Sequence, residues 1–237
     1  MKDLIIYNLA TCPERQHLLG DMIESIYEQA DIINIALNRY DHIPKELDGR
    51  RKIHVMLDTK DVWAERGKFA SVSRVNGYYF GVDDDIIYPD DYSRKMIEAI
   101  ERYGRRVIVC VHGNIAKTPF TSFYKDCEKF LFHSSLLKDT AVHFPGTGTI
   151  AFHTDTIKLL IDQFKCPYMS DIWMGILTQE KRVPVIAIRR ETGWLKPVFI
   201  TGIYEKVEKS PQLREQQNSL IRRFLGIQFQ GRYWRVW

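Results

Sequence analysis

Short apolar runs alternate with segments of helical period along the first half of the chain. Leu4–Tyr7 reads as a buried strand. Thr11-Cys12-Pro13 then opens a helix, with Thr11 or Cys12 near the cap and Pro13 in the first turn. Leu18, Leu19, Met22, Ile23, Ile26 and Tyr27 recur at helical spacing and form a face for a sheet. Ile32–Leu37 and Ile53–Leu57 read as the second and third strands. Val75–Val82 contains Asn76-Gly77, and its latter half is predicted to be a strand that ends at an acidic cluster. Asp91–Tyr103 is predicted helical, with Met96, Ile97, Ile100 and Tyr103 on one face and Gly104 as the stop. Val107–Val111 is a further buried strand.

The second half is less regular. Residues 112–150 mix Gly, Thr, Pro and aromatic residues without a clean period. Thr154 is a candidate cap for a helix with Ile157, Leu160, Ile161 and Phe164 on its apolar face, and Ser170 for one with Ile172, Trp173, Ile176 and Leu177. Val183–Ile188 reads as a strand, and a polar helix is expected from about Gln212 to Leu225. There is no internal repeat. The alternation of strand and helix predicts one α/β domain with a mixed, mostly parallel sheet flanked by helices. It should occupy residues 1–200, followed by a basic, aromatic helical tail over 201–237.

Composition narrows the class without fixing it. With 45% hydrophobic and 27% charged residues, the chain is neither disordered nor fibrous. Its 34 basic and 30 acidic residues leave +4, and that excess is localised. From residue 201 onward seven bases face three acids, so residues 1–200 are neutral as a block. The tail interleaves this charge with Phe224, Phe229, Tyr233, Trp234 and Trp237. A neutral body does not suit a nucleic-acid-coating protein. No stretch approaches the ~20 apolar residues of a membrane span, and Met1-Lys2-Asp3-Leu4 does not begin a signal peptide, so a cytoplasmic protein is expected. Cys12, Cys110, Cys127 and Cys166 are scattered, which argues against zinc and against a disulfide framework.

The most informative stretch is Gly81-Val82-Asp83-Asp84-Asp85-Ile86-Ile87-Tyr88-Pro89. Three adjacent carboxylates repel one another and must be solvated or neutralised. Apolar sequence on both sides fixes them at the C-terminal edge of a sheet, where α/β proteins hold ligands. A divalent cation, Mn²⁺ or Mg²⁺, with phosphate completing its shell would satisfy them. A solvated turn capping the helix near Asp91 is the competing reading.

Several stretches carry a family resemblance: Asn38 to Leu47 with Ile43-Pro44-Lys45-Glu46-Leu47-Asp48-Gly49; Gly67-Lys68-Phe69; Asp83 to Tyr92; and Gly146-Thr147-Gly148-Thr149. Val111-His112-Gly113 and Trp194-Leu195 add to them. Over residues 4–200 the chain resembles the GT-A type nucleotide-sugar glycosyltransferases, in particular the short bacterial N-acetylglucosaminyltransferases of heparosan-type capsule synthesis. The resemblance implies a GT-A-like, Rossmann-like fold. It also implies transfer of a sugar, N-acetylglucosamine, from a UDP-sugar donor to a glycan acceptor of the capsule or surface. It does not extend to the tail.

The resemblance also implies residue roles. Asp85 would be the direct metal ligand with Asp83 in support, and Asp84 would lie nearer the ribose or donor sugar. The turn Ala10-Thr11-Cys12-Pro13-Glu14-Arg15, whose N–H groups open a helix, would cradle the uracil and ribose. Arg15 would meet base or phosphate, or form a surface ion pair. Asn38 would read the base, and Lys68 would reach the uridine or phosphates, or stand solvated. Gly146, Thr147, Gly148 and Thr149 would line the donor sugar and acceptor, or form a plain turn. His112 would bond a sugar hydroxyl or serve structurally. Asp171 would act as general base in an inverting enzyme, steady an oxocarbenium-like transition state in a retaining one, or complement the helix dipole. Arg190 and Lys196 would fold over the diphosphate with Trp194 against the ligand, or form a basic surface loop.

Two rivals stand beside this. A nucleotidyltransferase would use the same carboxylates on a nucleoside triphosphate, although Ala10–Arg15 lacks the glycines of a phosphate loop. A non-catalytic glycan- or partner-binding subunit would turn nothing over. The tail suits the inner face of a membrane or a polyanion; a helix docked on the core, a dimer contact or contact with a partner glycosyltransferase are the alternatives.

Overall fold

The computed structural model describes residues 3–198 and 207–229. Its strands are β1 (Leu4–Thr11), β2 (Ile32–Asn38), β3 (Ile53–Asp58), β4 (Gly77–Val82), β5 (Ile86–Ile87), β6 (Ile108–Cys110), β7 (Gly113–Ala116), β8 (Cys127–Phe130), β9 (Thr140–Ala141), β10 (Phe144–Pro145), β11 (Thr149–His153), β12 (Val185–Ala187) and β13 (Lys196–Pro197). Its helices are α1 (Leu19–Tyr27), α2 (Tyr92–Arg102), α3 (Phe123–Asp126), α4 (Ser170–Glu180) and α5 (Pro211–Phe229).

Eight strands form one mixed sheet in the order β3-β2-β1-β4-β11-β6-β12-β9. Only β11 and β9 run against the rest. β1 lies between β2 and β4, parallel to both, so the winding order turns over at β1 and opens a crevice at the strands' C-terminal ends. The fold is thus a mixed α/β domain with a large, mostly parallel sheet flanked by helices, compatible with a Rossmann-like nucleotide-binding fold.

Alternation along β4 shows why the sheet is buried on both faces. Tyr78, Phe80 and Val82 point into a core with Leu19, Met22, Ile23 and Ile26 of α1 and Met96 and Ile100 of α2. Tyr79 points into a second core with Phe69, Phe152, Phe164 and the apolar residues of α4. Ile221, Phe224 and Leu225 of α5 are buried in this second core, and the Phe224 ring lies 4.6 Å from Phe144. The helix over 211–229 is therefore packed on the body. The boundary expected at residue 200 falls among residues 199–206, outside the described residues, as do Tyr233, Trp234 and Trp237.

Two elements differ from the sequence expectation. The helix opened by Pro13 is a 3-10 turn through Leu18 before α1 begins. The helix expected after Thr154 does not form. The Thr154 hydroxyl accepts from Gly77 N and donates to Asn76 Oδ1, so it fastens the start of β4 and caps nothing. Ile157, Leu159 and Phe164 are still buried, from an irregular segment with a 3-10 turn at Ile161–Gln163. Among the described residues no helix is long and apolar enough to cross a membrane.

Candidate functional site

A cleft of about 270 Å³ opens at the C-terminal edge of β1 and β4. The structure brings Ala10, Arg15, Lys68, Asp83, Asp84, Asp85, Thr147 and Asp171 to its walls. These residues come from six separate stretches, so the crossover topology, and no local motif, assembles them.

The acids are neutralised from two sides. Arg15, delivered by the 3-10 turn Pro13–Leu18, sets Nε 2.9 Å from Asp84 and a terminal nitrogen 2.5 Å from Asp85. The Thr11 hydroxyl donates to the other Asp84 oxygen at 2.6 Å. Burial pushes the Asp84 carboxyl up to about 6 in spite of these partners. Lys68 is buried on the 3-10 turn Ala64–Phe69 and pairs with Asp83. Burial works against its charge, but Asp83 beside it holds the Lys68 pKa above the ordinary lysine value. That turn is anchored by Tyr79, whose hydroxyl donates to Lys68 O at 2.7 Å, and by the Phe69 ring stacked on Phe164. Lys68 is thus a placed charge.

The Gly146–Thr149 loop closes against the acids. The Tyr88 hydroxyl accepts from Asp83 N at 2.9 Å and donates to Gly148 O at 2.6 Å. A Cβ on Gly148 would stand 1.9 Å from an Asp83 carboxylate oxygen, so only glycine lets the loop pass so near. Thr147 donates to Asp171, at the first turn of α4, from its N–H at 2.8 Å and its hydroxyl at 2.7 Å. Burial raises the Asp171 pKa over the effect of both bonds.

Other expected site residues lie elsewhere. Asn38 donates to Ala64 O at 2.7 Å and ties the Lys68 turn to β2. Thr149 builds its own loop, donating to Gly146 O and accepting from His112 N. His112 is packed beneath Gly146, and burial, followed by the Arg190 charge, lowers its pKa to about 4. Arg190 spends its guanidinium on the carbonyls of Leu131, Ser134 and Ile188. Trp194 donates to Asp91 at 2.8 Å, and Lys196 extends β13 beside β5. Arg190 and Trp194 line a separate cavity of about 480 Å³ against α2. None of Arg190, Lys196 and Trp194 lines the cleft: backbone carbonyls hold the Arg190 guanidinium and Asp91 holds Trp194.

The cleft also has walls the sequence did not signal: Glu65, Phe123, Tyr124, Tyr168, Met169, Ser170, Val207 and Gln217. Glu65 stands three residues before Lys68 and so was within reach of the Gly67-Lys68-Phe69 motif. Gln217 carried no local signal, because α5 reaches the cleft only through tertiary packing.

Among the described residues no three His, Cys, Asp or Glu side chains form a metal-holding group. Asp83 and Asp85 still suit Mg²⁺, which takes one or two carboxylates and completes its shell with water and phosphate oxygens. Burial and then the Asp83 charge push the Asp85 pKa up against the pull of Arg15, a strain that a bound cation would relieve.

No protein-family model matches the chain. No curated protein matches it either. Among solved structures it is similar to CMP:2-keto-3-deoxy-manno-octonic acid synthetase complexed with CTP, over 94% of this chain and 99% of that one, at 10% identity and a TM-score of 0.49. A likeness of this size transfers neither a residue role nor a reaction to this chain. The expectation of a GT-A glycosyltransferase that moves N-acetylglucosamine from a UDP-sugar to a glycan acceptor is accordingly corrected. The solved structure it is similar to is a synthetase complexed with CTP and not a glycosyltransferase with a UDP-sugar. The UDP-sugar donor goes with it.

Proposed function

We propose that the chain is a metal-dependent nucleotidyltransferase acting on a nucleoside triphosphate, with its sheet as a Rossmann-like nucleotide platform. One observation carries the reading: Arg15 reaches from the first strand–helix turn into the acidic cluster, beside the buried Lys68. An oligophosphate needs fixed cations at the mouth of β1 and β4. The missing glycines of a phosphate loop are offset by a side chain that the 3-10 turn aims inward.

In this reading an acceptor hydroxyl oxygen attacks the α-phosphorus. The bond from the α-phosphorus to its bridging oxygen breaks, and pyrophosphate leaves with the electron pair. Asp171 takes the acceptor proton, its basicity raised by burial. Arg15 and Lys68 hold the β- and γ-phosphates and stabilise the charge that gathers on the leaving group. Asp83 and Asp85 would hold Mg²⁺, which supplies charge neutralisation to the phosphates. Asp84, fixed by Thr11 and Arg15, positions Arg15. Residues 1–200 are assigned to the catalytic body, and α5 of the segment 201–237 packs on it and adds Gln217 to the cleft wall. Peripheral attachment through Arg232, Trp234, Arg235 and Trp237 is a separate proposal. Unchanged flotation with anionic vesicles after truncation at residue 229 would remove it.

The test is pyrophosphate release from each of the four nucleoside triphosphates with Mg²⁺ or with chelator. Sugars and sugar acids serve as acceptors; CTP with a 2-keto sugar acid is the first pair. Release is expected for one nucleotide and lost with chelator and in Asp85→Ala. Release no greater than in Asp85→Ala, for every nucleotide and acceptor, overturns the reading.

A further inference from the structure

Two oxygens at the cleft are buried without a hydrogen-bond partner among the described residues. Gln217 of α5 is 7% exposed, and its Oε1 has none among the described residues. Glu65 accepts from Met169 N through Oε1 at 3.1 Å and leaves Oε2 without one. Both residues line the same cleft. A buried acceptor left unsatisfied costs about 1–3 kcal/mol, and native structures keep few of them. The Gln217 amide oxygen and an ionised Glu65 carboxylate accept; burial raises the Glu65 pKa, and a donor at Oε2 would favour its ionised form.

The surroundings narrow the donor. Phe123, Tyr124 and Tyr168 supply aromatic walls to the same cleft, which the carboxylates and cations already described also line. Two acceptors beside aromatic faces suit a ring that carries neighbouring hydroxyl groups. A fully ionised phosphate has no proton to give them.

We propose that Glu65 and Gln217 form a subsite that reads vicinal hydroxyls of the bound ligand. The C-terminal helix α5 therefore contributes a specificity residue to the cleft. The hydroxyls come from one of two sources, the ribose of a nucleotide or the ring of a sugar. The subsite rests on the nucleotide reading only for its first probe.

The test is calorimetry with the whole chain. CTP, UTP, ATP and GTP with Mg²⁺ are each compared with their 2′,3′-dideoxy forms, and free mannose, galactose and a 2-keto sugar acid form the second arm. Gln217→Leu removes the orphaned oxygen at similar volume, and Glu65→Gln keeps the acceptor that Met169 uses. Wild type is expected to prefer the hydroxylated ligand of one arm by about tenfold, and each variant to lose most of that preference. The melting temperature of Gln217→Leu should be unchanged or higher, because an unsatisfied buried group has gone. A preference retained in both variants overturns the subsite, as does an equal loss of affinity for hydroxylated and dideoxy ligands with a lower melting temperature. If nucleotides bind without discrimination and sugars do not bind, the subsite fails and the function stands. If only sugars bind, with loss in the variants, the function fails and the subsite stands. Binding of neither overturns both.

Discussion

Thr147 gives both its backbone N–H and its hydroxyl to a single oxygen of Asp171, at 2.8 and 2.7 Å. In the proposed reaction the second Asp171 oxygen would meet the acceptor hydroxyl. The arrangement fixes the carboxylate from the loop side while α4 carries it from the other, which a general base requires.

Asp171→Asn keeps an oxygen for both Thr147 donors and removes the base. Turnover is expected to fall by about 10²–10⁴ with nucleotide affinity within a few fold of wild type. Steady-state kinetics with direct nucleotide binding checks this. A fall in affinity with turnover preserved would place Asp171 in binding and not in proton transfer.

Arg15→Met tests the clamp. The variant keeps the stem's bulk and leaves Asp84 and Asp85 without their guanidinium. Breaking a buried pair from one side costs about 3–5 kcal/mol, so the metal-free variant should melt well below wild type. Saturating Mg²⁺ should raise its melting temperature by more than it raises wild type, because the cation takes over part of the neutralisation. Equal Mg²⁺ shifts in the two proteins would show that no metal meets these acids.

How much of this was legible in the sequence depends on the range of the forces involved. β1, β2, β4, α1, α2 and α4 announce themselves because each buries a stripe or a run set by its own periodicity. β11 does not. Thr149-Ile150-Ala151-Phe152-His153 follows a glycine-threonine loop and precedes Thr154, whose capping chemistry is drawn off by Gly77 and Asn76. The acidic cluster was legible as a strand end, while its partners were legible only as charged residues. Which cation meets which acid is decided by the crossover at β1 and β4. Arg190 and Trp194 show the reverse case, since backbone carbonyls and Asp91 claim them. Glu65 and Gln217 become site residues only once α5 has docked.

Gly148→Ala is the sharpest test of the loop. The new methyl would stand 1.9 Å from an Asp83 oxygen, so either the loop or the carboxylate must move. Overpacking of this kind costs about 1–3 kcal/mol. Folding should survive, and metal-dependent nucleotide binding should drop by more than the stability loss explains. Calorimetric titration with Mg²⁺ and nucleotide decides it. Affinity equal to wild type would mean that Asp83 is free to swing away.

His143 predicts an acid limit. Its Nδ1 accepts from Ala116 N at 3.1 Å, and burial lowers its pKa to about 4. The unfolded chain takes up a proton near pH ~6.5 and the native state only near 4, so stability rises with pH across that window. The contribution is complete above the unfolded pKa and is lost as pH falls toward 4, by up to about 3 kcal/mol. Denaturant melts between pH 4 and 7 should show this slope, and His143→Gln should flatten part of it. An unchanged slope in the variant would assign the acid limit to other groups, His112 first among them.

Phe224→Ala links the tail helix to the chemistry. The ring is 3% exposed and meets Phe144 at 4.6 Å and His143 at 5.1 Å. Truncating a buried phenylalanine costs about 3–5 kcal/mol when the cavity stays open. Part of that loss would fall on the docking of α5, because among the described residues Ile221 and Leu225 are its other buried apolar side chains. The same helix holds Gln217 over the cleft and accepts from Phe123 N through Asn218 at 3.2 Å. Loosening α5 should therefore weaken ligand binding at temperatures where the sheet is still folded. Hydrogen exchange should show faster exchange in residues 211–226 and at Phe123, with β1 and β4 unchanged. Ligand affinity should fall in the same conditions. Uniform loss of protection across the sheet would mean that α5 melts only with the whole domain, and that it serves the core and not the cleft.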